Sequence, residues 1–274
     1  MASAALIDDF AAQVQGGGER TVVLGHGFGT DQSVWQPQRQ ALLAAGYRVV
    51  SYDAAGATEH SLRRYQAERH GSLFGFAEDL IALMQALEIR AAHYVGHSAG
   101  GMVGLLAANG EPGLFRSLSL LGSSACYLDD PASGYVGGFS REAVGALIGA
   151  MRNDYAAWAN GFAPLVVANP DRPHLALGFS ACLLALRPDI AADVLETIFL
   201  ADHRQDARRV VLPTQVLQTG HDPAVPLAAA QWLAQTVAAR DFQVLEAEGH
   251  FPHISAPDRV SDALLGFLQA QGDA

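Results

Sequence analysis

The chain has 274 residues, half of them hydrophobic and only 16% charged, which supports a buried core and excludes a disordered chain. The net charge of −11 opposes binding to nucleic-acid phosphates and to anionic membrane surfaces, so we expect neither as a partner. The length predicts one large α/β domain with room for an inserted subdomain.

The cysteine content and the N-terminal residues bear on location. Two cysteines, Cys126 and Cys182, are too few for a disulfide framework, so a reducing compartment is the simpler interpretation. The N-terminal segment carries two aspartates and lacks a basic region before an apolar run, which argues against a signal peptide. No stretch of about 18 apolar residues occurs, so we expect no transmembrane helix. These features predict a cytoplasmic protein.

Short β-rich segments alternate with segments of helical periodicity as far as Leu121. This alternation predicts a parallel sheet with right-handed crossovers. In chain order we predict strand Thr21–Leu24, helix Ser33–Ala45, strand Arg48–Tyr52, helix Phe74–Leu87, strand Ala92–Val95, helix Ala99–Asn109 and strand Ser117–Leu121.

The alternation stops between Cys126 and Arg209, and strand patterns resume at Thr214–Gln218 and Phe242–Glu246. We therefore predict an α/β core of residues 1–125 and 210–274 and a helical cap of residues 126–209. Such a cap would cover the carboxyl edge of the sheet, where ligands bind in open α/β sheets. The predicted cap helices are Arg141–Met151, Tyr155–Phe162, Leu175–Leu186 and Ala191–Leu200.

The segment Gly96-His97-Ser98-Ala99-Gly100 matches the G-x-S-x-G pattern of a nucleophile elbow. Its context gives it weight, because a predicted strand precedes it and a predicted helix follows. The turn requires small neighbours, since the nucleophile sits in a strained backbone conformation. The alternative is a glycine-rich turn that only packs closely. We predict that Ser98 is the nucleophile.

A serine hydroxyl needs a base to attack at neutral pH. In the α/β-hydrolase fold, of which the elbow is typical, the three residues follow in the order serine, acid, histidine. Asp222 comes just after the predicted strand Thr214–Gln218, and His250 comes just after Phe242–Glu246. We therefore predict Asp222 as the acid and His250 as the general base. The rivals are His253, His221 and Asp241. Four further aspartates fall in the predicted cap, on the wrong side of the sheet connection: Asp189, Asp193, Asp202 and Asp206.

The segment Gly25-His26-Gly27-Phe28-Gly29 follows the first strong strand, from which this fold takes one donor of its oxyanion hole. We predict that the backbone N–H groups of Phe28 and Ala99 are the two donors. A competing interpretation is a dinucleotide-binding turn, with Asp53 about twenty residues further on. That interpretation lacks the third glycine, because Thr30 follows Gly29, and it leaves the serine, acid and histidine unexplained.

The ten histidines raise the question of a metal site. His250 and His253 have no third ligand at a recognisable spacing, and Pro252 between them argues against one helix carrying both. We predict no metal and no other cofactor.

The segment from Gly25 to Trp35 closely resembles the loop after the first core strand of the RsbQ-like α/β-hydrolases. That group includes the bacterial stress-signalling hydrolase RsbQ and the plant strigolactone and karrikin receptors. The resemblance implies an α/β-hydrolase fold with a V-shaped four-helix cap over a deep hydrophobic pocket, and a catalytic triad of Ser98, His250 and Asp222. Further similarities lie at 126–131, 137–139, 154–164, 187–190, 202–204 and 249–258.

The resemblance implies that Phe28, Trp158 and Phe162 line the pocket. The full set that we predict to line it is Phe28, His97, Tyr127, Trp158, Phe162, Phe199, Val225 and Phe251. An apolar pocket suits a small hydrophobic carboxylic ester or lactone. We therefore predict a serine hydrolase that works through an acyl-enzyme. The alternative is a ligand-sensing signalling receptor that keeps weak hydrolase activity and binds a protein partner.

One segment departs from the superfamily pattern. The residues from Asp53 to Ser61 lack the Gly-x-Gly that usually follows the second core strand. This loop is expected near the mouth of the pocket, so the departure bears on substrate scope more than on the triad.

Overall fold

The computed structural model describes residues 2–271, with side chains from residue 4 onward. Seven strands form one sheet: β1 (Gln13–Gln15), β2 (Thr21–Gly25), β3 (Arg48–Ser51), β4 (Ala92–His97), β5 (Phe115–Leu121), β6 (Thr214–His221) and β7 (Asp241–Glu248). Their order across the sheet is β1-β3-β2-β4-β5-β6-β7. Strand β1 pairs antiparallel with β3, and the other pairs are parallel. The predicted parallel sheet is confirmed.

The helices flank this sheet or lie between β5 and β6. They are α1 (Ala2–Asp9), α2 (Gln36–Ala44), α3 (Ala67–His70), α4 (Leu73–Ala86), α5 (Ala99–Gly110), α6 (Arg141–Asn153), α7 (Tyr155–Val167), α8 (Pro173–Ala185), α9 (Pro188–Leu200), α10 (Arg204–Ala207), α11 (Leu227–Thr236), α12 (Pro252–Ser255) and α13 (Pro257–Ala270).

The central strands are buried on both faces because helices cover both. In β2, Val22 and Leu24 belong to the hydrophobic cluster beneath α2 and α13, whereas Val23 belongs to the cluster beneath α4 and α5. Successive side chains of a strand point to opposite faces, so one run of apolar residues supplies both layers. This explains why β2 has no alternation of polar and apolar residues.

Between β5 and β6 the described chain contains helices α6 to α10 and isolated bridges but no longer strand. The caps explain where two of these helices begin. Ser140 accepts a hydrogen bond from the Ala143 amide before α6, and Asp154 accepts one from the Ala157 amide before α7. A bridge between Cys126 and Asp202 joins the two ends of the segment. The division into a core and a cap stays a prediction.

Several elements differ from the expected ones. The predicted helix Ser33–Ala45 is a 3-10 turn over Gln32–Trp35 followed by α2, because Asp31 caps the turn and Pro37 fits only the first turn of a helix. The sequence did not predict β1, the helices α1, α11 and α13, or the short helices α3, α10 and α12.

Across residues 2–271 no single helix is long and apolar enough to cross a membrane. The pair α8 and α9 together has the length and composition of a membrane span, but the two helices are bent by 111° relative to each other.

The packing of α13 on the sheet should contribute measurably to stability. Leu264 is 1% exposed, so Leu264→Ala should lower the free energy of unfolding by about 2–5 kcal/mol through lost burial and a residual cavity. The matched change Leu165→Ala, at a side chain 69% exposed on α7, should change it by about 0.5 kcal/mol or less. Urea denaturation of both variants tests this, and equal midpoints would contradict the assignment.

Candidate active site

Ser98 lies in a sharp turn between β4 and α5. Its backbone has φ of 53° and ψ of −123°, a conformation that side-chain-bearing residues rarely adopt. Holding a residue there costs about 1–3 kcal/mol, so the surrounding packing must impose it. The turn projects the Ser98 side chain away from the end of the strand and into a cavity. The strand–turn–helix context expected for the elbow is confirmed.

The small residues of the turn are explained by close backbone approach. A Cβ atom on Gly96 would lie 2.5 Å from the Gly101 Cα, and one on Gly100 would overlap the His26 carbonyl oxygen. A larger residue at either position would push α5 away from the strand. The glycines therefore serve the geometry of the turn that carries Ser98.

Three side chains from different loops form a hydrogen-bonded series. His250 Nε2 lies 2.9 Å from Ser98 Oγ, and His250 Nδ1 lies 2.8 Å from Asp222 Oδ2. Because the carboxylate can only accept at Nδ1, the other ring nitrogen is left to accept the serine proton. Asp222 directly follows β6, and His250 lies two residues beyond β7. The structure thus brings the three predicted residues together in the order that proton transfer requires.

The Asp222 carboxylate is held in place by groups that sequence reasoning missed. Its Oδ1 accepts hydrogen bonds from the amides of Ala224 and Val225, at 2.8 and 3.1 Å. Gln218, in the buried part of β6, donates to Oδ2 at 3.3 Å and to the Val225 carbonyl at 2.6 Å. With every direction occupied, the carboxylate cannot turn away from His250.

Two further contacts orient the serine and the histidine. The Tyr127 hydroxyl lies 3.3 Å from Ser98 Oγ, and burial raises the pKa of Tyr127 above its ordinary value, so the phenol is neutral. His97 donates from Nε2 to the His250 carbonyl oxygen at 2.8 Å. The first contact gives Ser98 a second polar neighbour, and the second fixes the backbone of the loop that carries His250.

The two predicted oxyanion donors come from adjacent segments. Ala99 is the first residue of α5, so its amide has no partner within the helix. Phe28 lies in the loop after β2, which is fastened by His26: its Nδ1 donates to the Gly27 carbonyl and its Nε2 accepts from the Ala54 amide. His26 ties this loop to the loop after β3. The role of Phe28 and Ala99 as donors stays a prediction.

An apolar cavity of about 380 Å³ lies over Ser98. Of the predicted lining residues, the structure places Phe28, Tyr127, Phe162, Phe199 and Phe251 around it. Residues that line it and were not predicted are Val166, Phe179, Leu195, Ile198 and Ala224. Most of these lie on α7 to α9, where helical periodicity alone does not tell which face turns toward the sheet.

Three predicted lining residues do not border this cavity. His97 lies behind His250, where its ring packs 4.4 Å from that of His253 between centroids. Trp158 stacks on Phe162, at 4.8 Å between ring centroids, and does not border the cavity. Val225 contributes its backbone to the Asp222 loop instead. These three residues differ from the expectation: the rings of His97 and Trp158 pack against His250 and Phe162, which do border the cavity, and the Val225 backbone holds Asp222.

The rival residues are occupied elsewhere. His253 is fully buried, with its ring packed on Trp35 at 4.7 Å between centroids. His221 is largely exposed beside Glu248, and Asp241 accepts from Gln215. Asp53, which the dinucleotide interpretation needs free, accepts hydrogen bonds from Gln32 and Thr58. None of these side chains reaches Ser98.

Within the described part of the chain no group of three or more His, Cys, Asp or Glu side chains is arranged to hold a metal ion.

Comparisons with known proteins agree with this fold. Residues 22–263 match the model of the alpha/beta hydrolase family. Karrikin insensitive 2 receptor IA of Petunia hybrida is 41% identical over 254 residues, which cover 92% of each chain. Strigolactone esterase RMS3 of Pisum sativum is 36% identical over 260 residues, which cover 94% of this chain and 96% of the relative. A solved structure, a hydrolase from Oleispira antarctica, aligns with a TM-score of 0.93 at 26% identity over 97% of each chain.

A parallel sheet with a serine in the sharp turn between β4 and α5 is the architecture of the hydrolases built on an α/β sheet. The family match over most of the chain then gives the assignment: the chain belongs to the alpha/beta hydrolase family. The plant receptors and esterases of the group that the sequence resembles are among its relatives.

The buried histidines behind the series should make stability depend on pH. Burial, followed by the neighbouring His250, lowers the pKa of His253 to about 3, from an ordinary value of 6.5. Between these values the unfolded chain binds a proton that the folded chain does not, so stability falls as pH drops below about 6.5. His253→Phe keeps the stacking on Trp35 and removes this titration. We expect its stability loss between pH 7 and pH 5 to be smaller than that of the wild type by about 2 kcal/mol.

Urea denaturation at the two pH values measures this difference. The control is His174→Phe, at an exposed histidine of α8, which should keep the wild-type pH dependence. If both variants lose stability with falling pH as the wild type does, the buried ring of His253 is not held neutral.

Proposed function

We propose that the chain is a serine hydrolase that cleaves a small hydrophobic carboxylic ester or lactone through an acyl-enzyme. The observation that carries the proposal is the hydrogen-bonded series from Asp222 through His250 to Ser98, which ends in an apolar cavity. A hydroxyl paired with an oriented imidazole is the arrangement that makes serine nucleophilic.

The proposed reaction begins with attack of Ser98 Oγ on the substrate carbonyl carbon while His250 Nε2 takes the hydroxyl proton. Asp222 stabilises the resulting imidazolium and keeps its orientation. The amides of Phe28 and Ala99 donate to the oxyanion of the tetrahedral intermediate. His250 then protonates the leaving oxygen, and a water molecule activated by the same ring hydrolyses the acyl-enzyme. In a lactone the leaving oxygen stays attached to the acyl group.

The surroundings of Ser98 favour an uncharged substrate. The cavity is lined by aromatic and aliphatic side chains, and its polar groups belong to Ser98, Tyr127 and His250. A charged substrate would lose its hydration there without gaining a partner. We further propose that residues 126–209 act as a cap, that the protein belongs to the RsbQ-like group within its family, and that it works in the cytoplasm, where its free cysteines would stay reduced.

Replacing the nucleophile tests the proposal. Ser98→Ala should lower kcat for p-nitrophenyl acetate by about 10³-fold or more, because the acyl-enzyme cannot form. The matched change Ser33→Ala, at an exposed serine outside the site, should leave kcat unchanged. Steady-state absorbance assays measure both, with circular dichroism to check folding. Retention of activity by folded Ser98→Ala protein would overturn the mechanism.

The acid should act through the orientation of His250. Asp222→Asn keeps the shape of the side chain, but its amide can present a donor to Nδ1 and so favour the wrong tautomer. We expect kcat to fall on the order of 10⁴-fold with little change in KM. Gln218→Leu leaves the carboxylate in place and removes one of its donors, so its effect should be smaller. An Asp222→Asn variant with near-wild-type kcat would contradict the assigned role.

A second candidate function is a ligand-sensing receptor that retains weak hydrolysis. The 41% identity to a karrikin receptor favours it. Stopped-flow turnover of a fluorogenic butenolide separates the candidates, since a metabolic enzyme continues at a steady rate after the first turnover. A receptor would give a burst of one product per protein followed by very slow release. Hydrogen exchange in α6–α9 after the burst would then report whether the helices rearrange.

A further inference from the structure

A second apolar cavity, of about 710 Å³, lies beside the one over Ser98, and we propose that it binds the acyl chain of the substrate. We call it the side cavity; it lies between the loops after β2 and β3, the start of α5 and the inner face of α9. The proposal rests on the proposed function and extends it, because it names which part of the ester goes where.

The walls of the side cavity explain why it is open. The loop after β3 contributes Ala54, Ala55 and Ala57, whose methyl groups leave space that larger side chains would fill. The facing wall is aliphatic, from Ile190 and Val194 on α9. This is the same loop that lacks the Gly-x-Gly usual in the superfamily. Its departure from the pattern therefore coincides with a wall of the side cavity.

The polar groups that border the side cavity are already paired within the protein. Both ring nitrogens of His26 are hydrogen-bonded to backbone, and the Tyr52 hydroxyl contacts that of Tyr94. The Asp79 carboxylate lies 2.7 Å from Arg69 Nη1 and 3.0 Å from His70 Nε2. A ligand would find no unpaired side-chain donor or acceptor among these groups. The chemistry of the walls therefore selects an uncharged, apolar chain.

The position of the side cavity relative to the proposed triad and oxyanion donors indicates which part of the ester it would bind. Ser98 and His250 border the first cavity, whereas Ala99, one proposed oxyanion donor, borders the side cavity, and Phe28 borders both. His250 must protonate the leaving oxygen, so the leaving group has to lie on the histidine side. The acyl chain then extends past the donors, and the Phe28 ring and Ile198 form the boundary that it crosses.

This assignment predicts a preference for medium-length acyl chains. Each buried methylene contributes about 0.8 kcal/mol, or roughly fourfold in kcat/KM, as long as the cavity has room. The wild type should therefore hydrolyse p-nitrophenyl octanoate with a higher kcat/KM than p-nitrophenyl acetate. Both esters share the same leaving group, so the difference reports on the acyl chain alone.

Two variants narrow the side cavity from opposite walls without touching the proposed triad or donors. Ala57→Leu adds bulk from the loop, and Val194→Phe adds bulk from α9; both side chains are only partly buried, so folding should tolerate the change. Each should lower kcat/KM for the octanoate by tenfold or more and leave that for the acetate within twofold. Val211→Phe, at a side chain 87% exposed, is the matched control and should alter neither.

Binding to a variant that lacks the Ser98 hydroxyl keeps the test independent of turnover. In the Ser98→Ala background, the ketone analogue of the octanoate should bind tenfold or more weakly once Ala57→Leu or Val194→Phe is added. Equal losses for acetate and octanoate, or unchanged affinity for the analogue, would overturn the acyl-chain proposal and leave the serine mechanism standing. Activity that survives Ser98→Ala would instead overturn the mechanism, while the binding arm still decides whether the side cavity accepts an apolar chain.

Discussion

The left-handed backbone of Ser98 is the constraint on which the rest of the site depends. A residue with φ of 53° is stable there only because β4 on one side and α5 on the other are both packed into the core. The close fit leaves no room for a Cβ at Gly96 or Gly100. This conformation projects the Ser98 oxygen beyond the backbone, where the loop that carries His250 reaches it.

Parallel strands bring those loops to the same edge. The loop after β6 carries Asp222 and the loop after β7 carries His250, and adjacent pairing of β6 with β7 sets the two within hydrogen-bond distance. The site also lies in apolar surroundings, where hydrogen bonds to ionised groups are stronger than in water. Gln218 and His97 add a second layer of contacts that hold the acid and the histidine loop. The proposed chemistry therefore depends on groups that would never touch a substrate.

The sequence predicted the parts of the fold that have a strong local signal. The strands β2 to β6 were recognisable because buried parallel strands are short and mostly apolar runs, β7 because β-forming residues alternate along it, and the elbow because a turn of this kind requires glycine. The strand β1 was missed because Gln13–Gln15 has no apolar pattern of its own. Helix α13 was missed although its sequence carries a signal, because Val260, Leu264 and Phe267 recur at helical spacing on its buried face.

The sequence predicted which residues form the triad, from their order along the chain, but not all of the residues that line the cavity. The spacing of Ser98, Asp222 and His250 relative to the strands was enough to choose them over His253. The lining was harder, because Trp158 and Phe162 lie one turn apart on the same face of α7, and only the position of that helix over the sheet decides which of them borders the cavity. The alanines after Asp53 are the part of the sequence that hints at the side cavity. Its volume also depends on the position of α9, which no local sequence pattern predicts.

The most direct test of the central claim is to trap the nucleophile itself. The folded protein is treated with an alkyl fluorophosphonate, and the modified residue is located by peptide mass spectrometry. The account predicts a single adduct per chain, on Ser98, that forms far more slowly once His250 is replaced by alanine. Labelling at another serine, or labelling of Ser98 at the same rate without the His250 ring, would contradict it.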